Sequence, residues 1–301
     1  MRILMPIDAS SYSKAAVAFL ASRATLIKSQ PDVELLNVQY PVPLRAARAL
    51  GKEMVRAYHE SEANRALKPA LSTLKRADLK ANARYVVGTV AHELATIVAT
   101  DAADLIVMGS HGDTGLKKLL MGSVTSTVMA SCATPMLVMR GKSPTKKDSL
   151  KLAIALDGSK YGVAAVRFFV KHRDFFGAAP TLTLVHVVPD LSSLVVPGFL
   201  GRMPVPNLKP EQIEAMQGAA FENAMAPARK LLERADVAAT EVRLLGNSPG
   251  DQIATYATKN KLDLIALGSH GEGALKSAVL GSVATRIAAK CQVPLLFVRE
   301  K

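Results

Sequence analysis

The sequence contains no tryptophan, and aromatic residues make up only 5% of its 301 residues. A core built from this composition must be mostly aliphatic. Cysteine is as scarce, with only Cys132 and Cys291. Two cysteines do not suggest a disulfide framework and are too few for a zinc site made of cysteine alone. We therefore expect both to be small buried hydrophobes in a reducing compartment.

Long apolar runs are also missing, since none approaches the roughly 20 residues of a membrane span. The first ten residues match a strand and a turn better than a secretory signal. We therefore expect a cytoplasmic protein without a membrane partner.

Acidic residues are outnumbered, with 25 Asp and Glu against 38 Lys and Arg, a net charge of +13 at pH 7. This excess favours contact with anions such as phosphates, although an ordinary solvated basic surface is the preferred explanation. The basic residues are scattered and no nucleic-acid motif accompanies them, so nucleic acid is not an expected partner.

The sequence contains the same segment twice. GSHGDTGLKKLLMGSV at 109–124 corresponds to GSHGEGALKSAVLGSV at 268–283. The repeat predicts two domains, 1–142 and 150–301, with a linker near Gly141–Ser149. The second copy is longer, and the extra residues are expected in the Pro-rich stretch Leu191–Pro210.

Both copies alternate apolar strands with helices, which predicts a parallel sheet covered by helices on both faces. Helices are predicted over Ser11–Lys28 and Leu50–Arg76, among others. The predicted strands lie near 2–7, 33–39, 83–87, 105–108 and 136–139, and near 152–156, 181–187, 240–244, 263–267 and 294–298.

The repeated segment has the features of a phosphate site. Gly109 and Gly112 follow strand four, and after nine more residues Gly122-Ser123 opens a helix. Glycines allow positive φ and close approach of the backbone, while the N–H groups and dipole at a helix N-terminus attract anions. The alternative is a helix-entry turn that uses glycine for packing. The corresponding residues of the second copy are Gly268, Gly271, Gly281 and Ser282.

Asp8 and Asp157 end the first strand of each copy. In open α/β sheets the ligand lies beyond the carboxyl ends of the strands, so a carboxylate there can accept hydrogen bonds from ribose. The alternative is an Asp that stabilises a turn or caps a helix.

These pieces together resemble the universal stress protein family over essentially the whole chain: the strand-one Asp, the G-2x-G-9x-G-[ST] loop, and the short strand after Pro135 or Pro294. The resemblance implies two tandem Rossmann-like domains of the adenine nucleotide alpha-hydrolase-like type. Each is a five-stranded parallel sheet of order 3-2-1-4-5, and each binds ATP, ADP or AMP.

By this resemblance, Asp8 and Asp157 hold the ribose, and Val38 and Val187 line the adenine pocket. Pro6 is replaced by Ala155 in the second copy, so the two adenine pockets are expected to differ in shape. The remaining expected ligand contacts are Gly109, Ser110, His111, Gly112, Gly122, Ser123 and Val124 in the first copy, and Gly268, Ser269, His270, Gly271, Gly281, Ser282 and Val283 in the second.

His111 and His270 offer a phosphate contact or a proton shuttle, or they stabilise their loops. No hydrolase triad and no protein-only metal site can be assembled, so Mg²⁺ or Mn²⁺ would arrive with the phosphates. The loop also lacks the Lys of a Walker-type P-loop, and no arginine finger can be named. The sequence therefore favours a nucleotide-dependent stress or signalling protein with at most slow ATP hydrolysis and no catalytic residues.

Two alternatives stay open. An adenylating enzyme would need a cation at the phosphates, for which Lys117 and Lys118 are candidates in the first copy only. A nucleotide-free interaction module would instead present a surface or an apolar cavity to a protein partner not yet identified.

The last strands, Pro135–Met139 and Pro294–Val298, are apolar edges that need to be covered. We expect them to pair across an internal pseudo-two-fold axis, making the chain an intramolecular pseudo-dimer, with a homodimer as a further option. For Leu191–Pro210 the options are a lid on the second site, a contact with a second chain, or packing on its own domain.

Overall fold

Strands and helices alternate along both halves of the chain. The computed structural model describes residues 1–27, 29–100, 102–111, 121–141, 147–191, 209–268 and 281–299. The first half contains β1 (Arg2–Pro6), α1 (Ser11–Ala21), β2 (Asp32–Gln39), α2 (Leu44–Leu50), α3 (Lys52–Arg76), β3 (Ala81–Val87), α4 (Val90–Thr100), β4 (Leu105–Gly109), α5 (Ser123–Ser131) and β5 (Met136–Met139). The second contains β6 (Lys151–Ala155), α6 (Lys160–Lys171), α7 (Arg173–Phe176), β7 (Thr181–Val188), α8 (Pro210–Arg234), β8 (Thr240–Leu245), α9 (Pro249–Lys259), β9 (Leu264–Gly268), α10 (Ser282–Lys290) and β10 (Leu295–Val298).

Two predicted helices have different limits. The helix predicted over Ser11–Lys28 ends at Ala21 because Ser22 caps it, donating its hydroxyl to the Phe19 carbonyl at 2.7 Å. The helix predicted from Leu50 is preceded by a separate one, α2, because the chain turns at Gly51, whose φ of 80° lies in the left-handed region.

The described strands form one continuous sheet, with the order β3-β2-β1-β4-β5-β10-β9-β6-β7-β8. Each half therefore follows the order 3-2-1-4-5, but the two do not form separate five-stranded sheets. The halves join through β5 and β10, which run antiparallel with Leu296 opposite Leu137 and Phe297 opposite Met136. The predicted pairing of the last strands is confirmed, and it leaves neither as an open edge.

Two hydrophobic cores, one on each face of the sheet, extend across both halves. Ile3 and Leu4 of β1 show the alternation, since Ile3 joins the core under α1, α3, α6 and α8, whereas Leu4 joins the one under α4, α5, α9 and α10. The first core is mostly aliphatic but includes a phenylalanine cluster, in which Phe19 of α1 contacts Phe175 of α7 with ring centroids 5.8 Å apart. The halves therefore share side-chain packing as well as a strand pair.

A repeated aspartate fixes the first strand of each half against the fourth. Asp104 accepts a hydrogen bond from the Arg2 backbone N–H at 2.9 Å, and Asp263 accepts one from the Lys151 N–H at the same distance. Among the helices in the described ranges, none is both long and apolar enough to span a membrane.

Candidate functional site

The predicted ligand site lies where β1 and β4 end side by side. Ile3 pairs with Leu105 in these parallel strands, so the turn after β1 faces the loop after β4. The Ser10 hydroxyl, which caps α1, contacts the backbone carbonyl of His111 at 3.4 Å. In the second half β6 lies beside β9 in the same way. Because β5 and β10 are antiparallel, the carboxyl ends of the strands in the first half and those in the second half point in opposite directions. The two predicted sites therefore lie on opposite edges of the sheet, each at the carboxyl ends of its own strands.

Both strand-one aspartates stabilise turns. Asp8 accepts the Ser10 backbone N–H at 3.0 Å, and Asp157 accepts the Ser159 N–H at 3.0 Å. The turn alternative is therefore observed, yet both carboxylates are exposed at the carboxyl edge, where a ligand can reach them. The residue that follows each Asp has a positive φ, 66° at Ala9 and 85° at Gly158. This conformation strains Ala9, because its Cβ crowds the backbone.

The first glycine of each loop is required for packing. A Cβ at Gly109 would lie 2.7 Å from the Tyr12 Cβ and 2.9 Å from the Tyr12 backbone carbon. At Gly268 the corresponding distances to Tyr161 are 2.5 and 2.9 Å. These glycines let the first turn of α1 or α6 approach the end of the fourth strand. The packing alternative is thus correct for Gly109 and Gly268.

The later glycines, Gly122 and Gly281, form the N-caps of α5 and α10. Their φ angles are −64° and −56°, so the expectation that loop glycines adopt positive φ is wrong for both. Glycine has no side chain to cap a helix, so the first N–H groups at Ser123-Val124 and Ser282-Val283 face outward without that partner. Ser123 and Ser282 are exposed, and Val124 and Val283 are half-buried. Both helix N-termini can thus accept an anion.

His111 is held inside its loop. The Ser110 hydroxyl lies 3.0 Å from its Nδ1, and the Tyr12 ring lies 5.5 Å from its ring, centroid to centroid. Ser110 is buried, and its backbone accepts from the Gly122 N–H and donates to the Met139 carbonyl, both at 2.8 Å. These contacts support the loop-stabilising interpretation of His111.

Three supporting residues were missed from the sequence. The Thr125 hydroxyl donates to the Gly109 carbonyl at 3.1 Å and so fixes α5 to the loop. Asn37 bonds the Ile7 carbonyl at 2.6 Å, and the His186 Nδ1 lies 2.7 Å from the Leu156 carbonyl. Asn37 and His186 therefore fix the backbone just before each strand-one Asp. For Asn37 and His186 the available signal was a polar residue between two apolar ones near the end of a strand.

Val38 and Val187, the predicted adenine-pocket residues, lie next to these two supports near the ends of β2 and β7. Val38 is half-buried and Val187 is buried. In the second half the buried Ser159 hydroxyl, beside Asp157, has no hydrogen-bond partner among the described residues. A polar atom of this kind is a natural donor to a ligand. Outside the described residues are Gly112, Lys117, Lys118, Ser269, His270, Gly271 and residues 192–208 of the Pro-rich stretch.

Cys132 and Cys291 are buried, reduced and placed at the ends of α5 and α10. Burial raises the pKa of both thiols, which keeps them protonated and unreactive. In the described part of the chain no three His, Cys, Asp or Glu side chains gather as a metal site.

A cavity of about 420 Å³ lies at the seam between the halves, lined by Met139 and Gly141 on one side and by the end of α9 and the Cys291–Pro294 segment on the other. None of the predicted ligand residues lines it.

Known proteins are similar to this chain in sequence and in fold. A universal stress protein of Mycolicibacterium smegmatis is 24% identical over 310 residues, covering 99% of this chain and 97% of its own. One from Methanocaldococcus jannaschii is 31% identical over 150 residues, covering 48% of this chain and 84% of its own. The crystal structure of a universal stress protein from Archaeoglobus fulgidus superimposes with a TM-score of 0.67 at 19% identity, covering 100% of this chain and 98% of its own.

The sequence model of the universal stress protein family matches the chain twice, at residues 1–140 and 150–299. The two matches correspond to the two halves of the sheet, and the M. smegmatis relative spans both. The chain therefore belongs to the universal stress protein family and carries its domain twice in tandem.

Proposed function

We propose that each half binds one adenine nucleotide, ATP, ADP or AMP, and that the chain acts in the cytoplasm as a nucleotide-dependent stress or signalling protein. The domains that carry the two sites are 1–142 and 150–301. One observation carries this proposal. In both halves a glycine-capped helix N-terminus follows strand four, and an exposed carboxylate follows the neighbouring strand one, at the edge where α/β sheets bind ligands.

The geometry fits a phosphate group. A Cβ at Gly122 would lie 3.1 Å from the Ser110 carbonyl oxygen and 3.5 Å from the His111 Cα, so a side chain there would fill the cradle. The backbone N–H groups of the first turn of α5 point outward from the N-terminus of the helix, where a phosphate would lie. The helix dipole favours negative charge at the same place. For Gly281 and α10 the proposal rests on the repeat and on the glycine N-cap that the two helices share.

Different residues of the chain would contact the ribose, the adenine and the phosphates. Asp8 and Asp157 would accept hydrogen bonds from the ribose hydroxyls, and Val38 and Val187 would contact the adenine. The phosphates would accept hydrogen bonds from the loop N–H groups and from the hydroxyls of Ser123 and Ser282. They would also contact Ser110, His111 and Gly112 in the first half, and Ser269, His270 and Gly271 in the second. A divalent ion such as Mg²⁺ or Mn²⁺ would be held mainly by those phosphates.

Rapid turnover is not part of the proposal. The described residues of the two loops contain no lysine or arginine beside the helix N-terminus to stabilise a transferring phosphate. We assign at most slow hydrolysis, which suits a protein whose bound nucleotide acts as a signal.

The test uses protein that has been unfolded, freed of nucleotide and refolded. Millimolar ATP is expected to raise its melting temperature by mass action, because ATP binds the folded state alone. Mass spectrometry of the nucleotides released from freshly purified protein identifies which one the cell supplies.

Gly122→Val fills the first cradle, whereas Gly218→Ala, in open space on α8, is the matched control. The first should reduce the thermal shift and the second should not. No shift in the wild-type chain would leave a nucleotide-free interaction module as the better explanation. Release of pyrophosphate from ATP with a second substrate would instead indicate an adenylating enzyme.

A further inference from the structure

Two arginines cross the seam between the halves in a reciprocal arrangement. Arg140 follows β5 and donates from Nη2 to the Ala288 carbonyl of α10. Arg299 follows β10 and donates from Nη1 to the Cys132 carbonyl, at the end of α5, at 3.0 Å. Each half thus binds the C-terminal end of the other half's loop helix. The two residues occupy corresponding positions of the repeat.

The chemistry suits a fixed contact. A guanidinium is favoured at a helix C-terminus, where the carbonyls lack intrahelical partners and the dipole is negative. Arg140 is buried, and burial lowers its pKa despite the nearby Cys291 and Tyr12. A desolvated charge held in this way has few alternative arrangements, so its carbonyl partner and its own backbone move together.

Arg140 is also tied to its own loop. It directly follows Met139, whose carbonyl accepts the Ser110 N–H at 2.8 Å. A change in the first loop therefore reaches the backbone next to Arg140 through the hydrogen bond between Ser110 and Met139.

Beyond the arginine, each helix leads to the other site. α10 begins at Gly281-Ser282, the second phosphate cradle, and carries Ala288 in its last turn. α5 begins at Gly122-Ser123 and ends at Cys132. Because the two sites lie on opposite edges of the sheet, each helix of nine residues, about 13 Å long, spans from one site to the arginine of the other.

We propose that Arg140 and Arg299 couple the two nucleotide sites, so that a nucleotide in one half tightens binding in the other. The inference rests on the proposed nucleotide binding. A nucleotide that holds the N-terminus of α10 restrains this helix, and through Arg140 and Met139 it restrains Ser110 before a ligand arrives at the first site. The second nucleotide then loses less conformational entropy on binding, which is positive cooperativity.

Native mass spectrometry of the ligand-free full chain with increasing ATP separates the empty, singly bound and doubly bound species. At half-saturation the wild type should consist mainly of empty and doubly bound chains, with the singly bound species depleted relative to independent sites. In Arg140→Met the ratio of doubly to singly bound chains should fall about fivefold or more, the lower end of typical allosteric coupling. Arg286→Met is the matched control, because it removes a charge from the same helix but one paired with Asp251 of α9.

A second readout does not depend on an arginine variant. In Gly281→Val, whose second cradle is filled, ATP bound at the first site should slow amide hydrogen exchange in α10. If Arg140→Met fails to fold, Arg299→Met, whose arginine is only half-buried, replaces it in the titration.

The outcomes are distinguishable. An unchanged ratio in both arginine variants, or unaltered exchange in α10, overturns the coupling and leaves the proposed function intact. A fall in the ratio with Arg286→Met as large as with Arg140→Met assigns the effect to α10 in general and also overturns it. A wild-type chain that binds no ATP at either site overturns both proposals.

Discussion

The two halves of the chain agree around the glycine-capped helix N-terminus and differ near the ends of the first two strands. Both have the Asp turn, the packing glycine, the glycine N-cap and the crossing arginine in the same geometry. They differ at strand two, where Asn37 corresponds to His186, and at the end of strand one, where Pro6 corresponds to Ala155. The shared geometry predicts that both halves bind phosphate, while the differences predict unequal affinity for the base.

The comparison also concerns stability, because the halves share two cores and a strand pair. In Phe297→Asp, a carboxylate replaces a side chain that is 2% exposed opposite Met136. We expect a loss of about 4 kcal/mol or more, since the unpaired charge is buried and aromatic packing is lost. Denaturant unfolding measures it, and Leu245→Asp, at a site 51% exposed, is the control with little effect. Two independent transitions in the wild-type chain would show that the halves do not fold together.

The packing glycines should be equivalent in the two halves. Gly109→Ala and Gly268→Ala each force a Cβ against the first turn of α1 or α6, and each should cost about 1–3 kcal/mol. Gly218→Ala, inside α8 with open space around it, should instead stabilise the chain by about 0.5–1 kcal/mol. Thermal unfolding compares the three. A loss confined to one half would break the equivalence that the geometry indicates.

The residue after the strand-one Asp is alanine in the first half and glycine in the second, so each can be replaced by the other. Ala9→Gly relieves a positive φ and should stabilise the chain by about 0.5–1 kcal/mol, after the entropy of glycine in the unfolded state is subtracted. Gly158→Ala imposes the same strain and should destabilise the chain by about 1 kcal/mol. No steric clash adds to this loss, because a Cβ there meets nothing closer than 3.8 Å. Equal signs for the two substitutions in denaturant unfolding would contradict the assigned strain.

The smallest expected effect concerns an ion pair of the second half. Arg286 donates two hydrogen bonds to Asp251, whereas the first half has Thr127 and His92 at these positions. Hydrogen bonds from Arg286 and Ser248 hold the pKa of Asp251 below its ordinary value. A depressed carboxyl pKa contributes stability above the unfolded value and loses it as pH falls through the folded one.

Arg286→Thr should therefore lower the denaturation midpoint slightly at pH 7. The gap should close as pH falls below about 4, the ordinary Asp range. Urea unfolding across pH, repeated at high salt to screen the exposed pair, measures this difference. A gap that widens in acid would show that the pair does not act through the Asp251 charge.

The strand order, and with it the position of Asp8 beside the loop, was implied by the resemblance to the universal stress protein family. The pairing of β5 with β10 was predicted because both last strands are apolar and an exposed apolar edge must be covered. Two halves carrying the same pattern also make a chance match less credible than one would.

Other features depend on contacts between distant segments and could not be predicted. The packing role of Gly109 requires knowing that Tyr12 lies against it, and the support by Asn37 requires the register of β2 with β1. The positive φ of Ala9 follows from the turn geometry, because alanine itself gives no signal for it. The crossing of Arg140 to α10 depends on how the two halves meet.

Isothermal titration of nucleotide-free protein with ATP tests the central claim most directly, because it counts sites. We predict two ATP per wild-type chain, one for Gly122→Val, one for Gly281→Val and none when both substitutions are combined. Circular dichroism would confirm that each variant is folded. A folded wild-type chain that takes up no ATP at millimolar concentration, or a doubly substituted chain that still binds two, would contradict the assignment of nucleotide sites to the two glycine-capped helices.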